Sequence, residues 1–210
     1  MNLEELVAHG LAAVSVDDIN ALARNALRQS HSSAQLMQHP LGFFHVRLLV
    51  QELVSIRLHY WPGGQRPQTT AVTPYHDHVW ALQSCILAGH ITNVLLSLET
   101  DETGPYVVAK IAQVGGVDSV VPTPERVRIT REDAVRYSAG DRYTIPPRAF
   151  HYTDVAPGMS AVTIVRAEVI ASGGPRTLVP SGYSGQAPAR TYVDQDKARG
   201  ILEEIDRLLV

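Results

Sequence analysis

Eight short runs of aliphatic, aromatic and β-branched residues fill the middle of this chain, and turn-forming residues end them. They span Phe43–Leu49, Val54–Trp61, Val79–Leu87, Thr92–Leu98, Tyr106–Val114, Glu125–Ile129, Arg142–Ile145 and Ala161–Val169. Between them stand Pro62-Gly63-Gly64, Ala88-Gly89, Thr103-Gly104-Pro105 and Gly115-Gly116, residues suited to tight reversals of the backbone. Short strands at such spacing must pair and pack to bury their apolar faces. The pattern predicts an all-β core folded as a jelly-roll barrel.

Helical periodicity replaces alternation at both ends. Leu3, Leu6 and Val7 form one apolar stripe, and Ile19, Leu22, Ala23 and Leu27 form another. Ser15 or Asp17 is placed to cap the second helix. The segment His39-Pro40-Leu41-Gly42 breaks the helical pattern. Towards the other end, Asp194–Leu209 reads as a helix whose apolar face is Ile201, Leu202, Ile205, Leu208 and Leu209. That face suits docking on the barrel or on a partner subunit. Residues 171–189, rich in Gly, Pro and Ser, read as a loop or linker. The expected organisation is one domain over residues 1–210. It comprises a helical extension over 1–40, a barrel over 41–170, and a loop plus C-terminal helix over 171–210.

Composition narrows the function. A hydrophobic fraction of 45% supports a full core without disulfide staples. The net charge of −3, with both signs dispersed, argues against nucleic acid and anionic membrane surfaces as partners. The single Cys85, an N-terminus without the features of a signal peptide and the lack of a membrane-length apolar run lead to a cytoplasmic expectation.

The chemistry concentrates in two segments. In Pro74-Tyr75-His76-Asp77-His78 the two histidines stand at i and i+2, so on an extended backbone they point to one side. A third histidine, His151, ends a segment that starts at Gly140 and carries a rigid turn at Pro146-Pro147. Imidazole nitrogen suits iron, zinc, copper and nickel. His9, His31, His39, His45 and His90 lack such a pattern and read as ordinary structural or surface residues.

These segments resemble the two motifs of the cupin superfamily. The first is HxH, three or four residues, Glu, and a later Gly; His76, His78 and Gly89 match, with Gln83 read at the Glu position. The second is G, five residues, PxG, two residues, H; Gly140, Pro146 and His151 match, with Arg148 in place of the inner Gly. The match covers about Val54 to Glu168. It implies a cupin jelly roll with His76, His78 and His151 as metal ligands, and a homodimer as a possible assembly.

The chain is also similar to the thiol dioxygenases, the cupin family of cysteine dioxygenase and 3-mercaptopropionate dioxygenase. Ile56–Gly64 precedes the HDH motif much as a strand ending in Trp and a Gly-rich turn does in that family. The resemblance implies mononuclear non-haem Fe(II), with Zn, Ni and Mn as alternatives, and a small anionic substrate oxidised with O2. Two departures bear on a thiol substrate. Cys85 lies two residues past the expected position, and the late strand Ala161–Glu168 carries neither His nor Tyr. A non-redox isomerase or lyase, or a non-catalytic small-molecule binder, fits the same ligand set.

Other residues join the site as expectations. Arg57 alternates with Ser55, His59 and Trp61 along one strand face, so an inward-facing Arg57 would hold a substrate carboxylate. His59 is a candidate proton donor or acceptor. Gln83 is a candidate weak ligand, and Tyr143 a candidate hydrogen-bond donor to bound substrate or oxygen. Arg166, on the late strand, reads as a solvated surface charge, with a second anion anchor as the alternative.

Overall fold

The structure is a computed structural model that describes residues 2–30, 36–114, 117–184 and 191–209. Two antiparallel sheets form a jelly-roll β core, with helices added from both ends of the chain. The strands are β1 Met37–His39, β2 Phe43–Gln51, β3 Val54–Trp61, β4 Trp80–Ala88, β5 His90–Thr100 and β6 Tyr106–Val114. They continue with β7 Val117–Ser138, β8 Arg142–Ile145, β9 His151–Asp154, β10 Ala161–Val169, β11 Arg176–Pro180 and β12 Thr191–Tyr192. One sheet has the order β12-β1-β2-β3-β10-β4-β8, and the other β11-β6-β7-β5-β9.

Strands β3, β6, β8 and β10 have the limits expected from sequence. Strand β7 runs far beyond the expected Glu125–Ile129, although Pro122 and Pro124 lie within it. A register shift between Val107 and Ala109 of the neighbouring strand accommodates the prolines. The Thr123 hydroxyl donates to Val108 O there, at 2.7 Å. Four strands have no counterpart in the sequence reading: β1 lies inside the supposed helical extension, β9 begins at His151, β11 lies inside the supposed loop, and β12 lies between that loop and the C-terminal helix. Each is short; β9, β11 and β12 gain their backbone partners from strands distant in the chain, and β1 lies between its neighbour β2 and the distant β12. The Gly115-Gly116 turn and the end of the 171–189 segment fall outside the described residues.

The helices cover the outer face of the larger sheet. Helix α1 spans Leu3–His9, α2 Val16–Ser30 and α3 Gln195–Leu208. Leu6, Ile19, Ala23 and Leu27 of the first two, with Leu202 and Ile205 of α3, bury against Ile56, Leu58, Tyr60 and Ile164 of the sheet. The apolar face of α3 thus docks on its own barrel. The Ser15 hydroxyl accepts from Asp18 N at 3.1 Å, so Ser15 is the residue that caps α2. Asp194 caps α3 by accepting from Lys197 N at 3.0 Å. Among the described residues no helix is long and apolar enough to cross a membrane.

The histidine segment closes the smaller sheet. His76 bridges both His151 of β9 and Thr177 of β11, the two edge strands of that sheet. Backbone bonds run from His76 N to His151 O at 3.1 Å and back from His151 N to His76 O at 2.9 Å. Asp77 N donates to Arg176 O at 2.9 Å. The segment therefore satisfies edges that would otherwise lie open and holds two of the three histidines in register. Gly89, in the β4–β5 turn, has a φ of 72°, and a Cβ there would stand 2.0 Å from Ser160 O. Only glycine fits that turn.

Candidate metal centre

His76, His78 and His151 meet inside the barrel, with one ring nitrogen of each within 4.8 Å of the others. The ring centroids are 4.3 Å apart for His76 and His151, 4.5 Å for His78 and His151, and 5.3 Å for His76 and His78. Backbone carbonyls set two of the tautomers. His76 Nδ1 lies 2.9 Å from Pro74 O, and His151 Nδ1 lies 3.0 Å from Ala149 O. A carbonyl only accepts, so each Nδ1 carries the proton and each Nε2 presents a lone pair. His78 Nδ1 is buried without a hydrogen-bond partner.

Burial holds all three imidazoles neutral. Desolvation lowers His151 to about 3, helped by the neighbouring His76. It lowers His78 well below the ordinary value, with His151, His76 and Arg57 adding repulsion. It also lowers His76, against the opposing pull of the Pro74 carbonyl and Asp77. Three neutral imidazoles with converging ring nitrogens, one of them with an orphaned buried nitrogen, fit a divalent transition metal. The fold imposes an acid cost for this. In the unfolded chain a histidine protonates near pH 6.5, whereas His151 stays neutral down to about 3. The unfolded state then binds more protons, so the metal-free protein is expected to lose stability as pH falls through that window. The slope is about 1.4 kcal/mol per pH unit for each buried histidine. Urea midpoints of metal-free protein at several pH values check this; a midpoint unchanged between about pH 7 and pH 5 would mean that the imidazoles are solvated.

The middle residue of HDH points elsewhere. Asp77 is fully buried, and its carboxylate accepts from Arg176 N and Arg176 Nε, both at 2.7 Å. Arg148 Nη1 lies 3.6 Å from the same carboxylate. Arg148 stands where the cupin motif has its inner glycine, and its φ of 67° keeps the left-handed backbone that glycine adopts readily. Its amide donates to His78 O at 2.8 Å, and its guanidinium donates to Gly174 O and Ser172 O. Asp77 thus ties the HDH segment to β11 and to the turn that leads into His151.

A cavity of about 140 Å³ opens beside His76 and His78, and a smaller one of about 70 Å³ is lined by all three histidines. Both are walled by Phe43, His59, Leu82 and Val165. Arg57 and His59 line the larger one, so the β3 face that the alternation assigns them both to points inward. The Arg57 guanidinium carbon sits 5.1 Å from the Trp80 ring centroid, and Arg57 Nε donates to Ser55 Oγ at 2.9 Å. His59 is held well below its ordinary pKa by desolvation, then by His45, Arg57 and His76. Tyr143 lines the smaller cavity, and burial pushes its hydroxyl up to about 12.

Gln83 is a correction. Its Oε1 accepts from Leu11 N at 2.9 Å, on the helix-covered face of the larger sheet. Alternation along β4 turns Leu82 inward and Gln83 outward. The cupin motif allows three or four residues before its Glu, and the shorter count selects Leu82. An apolar residue therefore takes the fourth position, and Gln83 cannot ligate. Replacing Gln83 with alanine is expected to leave metal content unchanged and to cost about 1 kcal/mol through the lost bond to Leu11. Metal analysis together with urea denaturation reads both effects. Cys85 shares the outer face, packed among the helices. Arg166 is also outward: its guanidinium donates to Val7 O and pairs with Glu168. It is a helix clamp, not an anion anchor.

His39 and His45, read from sequence as ordinary structural residues, line the larger cavity. The His45 ring lies 5.8 Å from His39 and 6.1 Å from His59. One signal was available. His45, like Arg57, sits on the inward parity of its strand, directly opposite His59 in register. His31 lies outside the described residues.

The fold and site together define a jelly roll with three converging histidines. No protein-family profile matches the chain, and no curated protein matches it. Among solved structures it is similar to the DMSP lyase DddQ from Ruegeria pomeroyi, at 16% identity and a TM-score of 0.38 over 69% of this chain and 54% of that one. It is similar to the polyketide cyclase RemF from Streptomyces resistomycificus, at 15% identity and 0.40 over 73% and 82% of the two chains. It is also similar to a cupin-like protein from Thermotoga maritima, at 14% identity and 0.39 over 69% and 80%. The chain spans about half the length of the DddQ chain.

Proposed function

We propose that this protein is a cupin-type mononuclear metalloenzyme, an Fe(II) dioxygenase that oxidises a small anionic molecule with O2. Three neutral imidazoles converge, and two of them, His76 and His78, line a cavity that also holds Arg57; this juxtaposition carries the reading. With Leu82 at the fourth position, the protein ligand set brings no negative charge to a divalent ion. Asp77 does not supply one, since its carboxylate is engaged by Arg176 and Arg148. A substrate anion is the natural source of that charge. Candidate substrates are a thiol such as cysteine or 3-mercaptopropionate, or another small carboxylate.

Bound iron would supply Lewis acidity and electron exchange with O2. The chain supplies the remainder. Arg57 pairs with the substrate carboxylate, and its bond to Ser55 and its place over Trp80 orient the guanidinium. Phe43, Leu82 and Val165 keep the site apolar and restrict water. His59, neutral at working pH, can accept a proton from the substrate. The protonated Tyr143 hydroxyl, which lines the same smaller cavity as His59, can donate a hydrogen bond.

A second reading is a non-redox lyase or isomerase using Zn, Ni or Mn. The pairing of a neutral imidazole acceptor, His59, with a phenol donor, Tyr143, on one cavity favours it. The deciding experiment loads metal-free protein with Fe(II) or Zn(II) and follows small thiols and carboxylates with and without O2. Turnover that needs both iron and O2, with O2 consumed in step with product, is the expected outcome. Equal turnover of the zinc form without O2 would overturn the dioxygenase reading in favour of the second.

A further inference from the structure

A second pocket of about 170 Å³ lies at the outer end of β2, β3 and β10, and two of its walls, Arg57 and Trp80, are also walls of the inner cavity. Arg47 lines it from β2, directly opposite Arg57 in the strand register. Like charges facing each other across adjacent strands repel. One carboxylate, Glu52, faces the same pocket, so two guanidiniums outnumber it. The register shift between Arg47 and Leu49 is a bulge at the arginine pair, a device that re-aims side chains at sites. The rim is apolar and exposed: Val50 is 59% and Leu53 60% accessible.

We propose that this outer pocket is an anion-binding subsite, in which Arg47 and Arg57 together take a carboxylate or phosphate group. The ligand's apolar body lies against Trp80 and Leu53 and runs inward past Arg57 towards the histidines. The inference rests on the reading of the inner cavity as a substrate site. It deepens that reading: the substrate carries a second acid group, or an acid group at the far end of an apolar body. Guanidinium pairs suit both oxyanions, because each offers two oxygens on one centre to a fork of N–H donors.

Titration calorimetry of the protein as purified, with glutarate and separately with inorganic phosphate, tests the subsite. Tryptophan fluorescence reports the same event, since Arg57 lies over Trp80. Saturable binding is expected, weakened roughly tenfold in Arg47→Ala and further in Arg47→Glu, with metal content unchanged. Arg47 is exposed, so these variants keep the core intact. Preference for glutarate would assign the site to an organic acid, and preference for phosphate to a phosphorylated ligand; both support it. Affinity unchanged in both Arg47 variants, or no saturable binding, would overturn it. Phosphate binding lost in His76→Ala would also overturn it, because the anion would then sit at the histidines. Failure of the metal reading itself shows differently, as absent metal with anion binding intact.

Discussion

Replacing His76 with alanine is expected to take the metal content of the purified protein from about one ion per chain to nearly none. The variant separates ligation from folding, because the sheet-closing contacts of His76 use its backbone: His76 N donates to His151 O and its own carbonyl accepts from His151 N. Alanine preserves both. What disappears is one of three nitrogens within 4.8 Å of one another. Structural zinc sites with four ligands bind with about 10–16 kcal/mol, so one ligand contributes about 3 kcal/mol, a loss of affinity on the order of 100-fold or more. Elemental analysis of protein prepared without added metal, and titration against a chelator, measure it. Gln83→Ala serves as the control that should keep its metal. A His76→Ala protein with its full complement would mean that the ion, if any, binds elsewhere.

Replacing Asp77 with alanine is expected to cost about 2–4 kcal/mol of stability and to weaken metal binding about 10- to 100-fold. The carboxylate is fully buried, while Arg148 and Arg176 remain 31% and 28% exposed at the side chain. Its loss strands two guanidiniums that keep some access to water, which holds the penalty at the lower end for a broken buried pair. It also leaves Arg176 N without its side-chain acceptor. The effect reaches the metal because Arg148 holds His78 O and stands three residues before His151. Asn in place of Asp keeps an acceptor for the amide and should recover about half of the stability. Urea midpoints and chelator competition read the two effects. An Asp77→Ala protein that unfolds like the parent would show the ion pairs to be solvated and without structural weight.

Much of this was legible in the chain. Turn residues and strand alternation specified β3, β6, β8 and β10 to the residue, because each has an apolar face and clear punctuation. The spacing of His76, His78 and His151 named the three residues that converge, since a motif records geometry in sequence. The inward turn of Arg57 and His59 followed from parity alone, once one face of β3 was known to be the inside.

Elsewhere the sequence was silent or misleading for definite reasons. Strand β11 looked like a loop because its neighbours are Gly, Pro and Ser; its pairing with β6 and its hold on Asp77 come from far along the chain. Gln83 was placed one residue out of phase, because a motif that tolerates three or four intervening residues cannot choose between opposite faces of a strand, whereas the sheet must. His45 carried no motif and reached the cavity only through its position opposite His59.

By itself, then, the sequence determined the class of the fold, its terminal helices and the three histidines, all of which depend on local periodicity and spacing. Tertiary structure alone decided which side of β4 meets those histidines, that Asp77 is spent on arginines, and that a second arginine stands at the mouth. Those facts depend on register between strands distant in the chain, and register is set by the packing of the whole sheet.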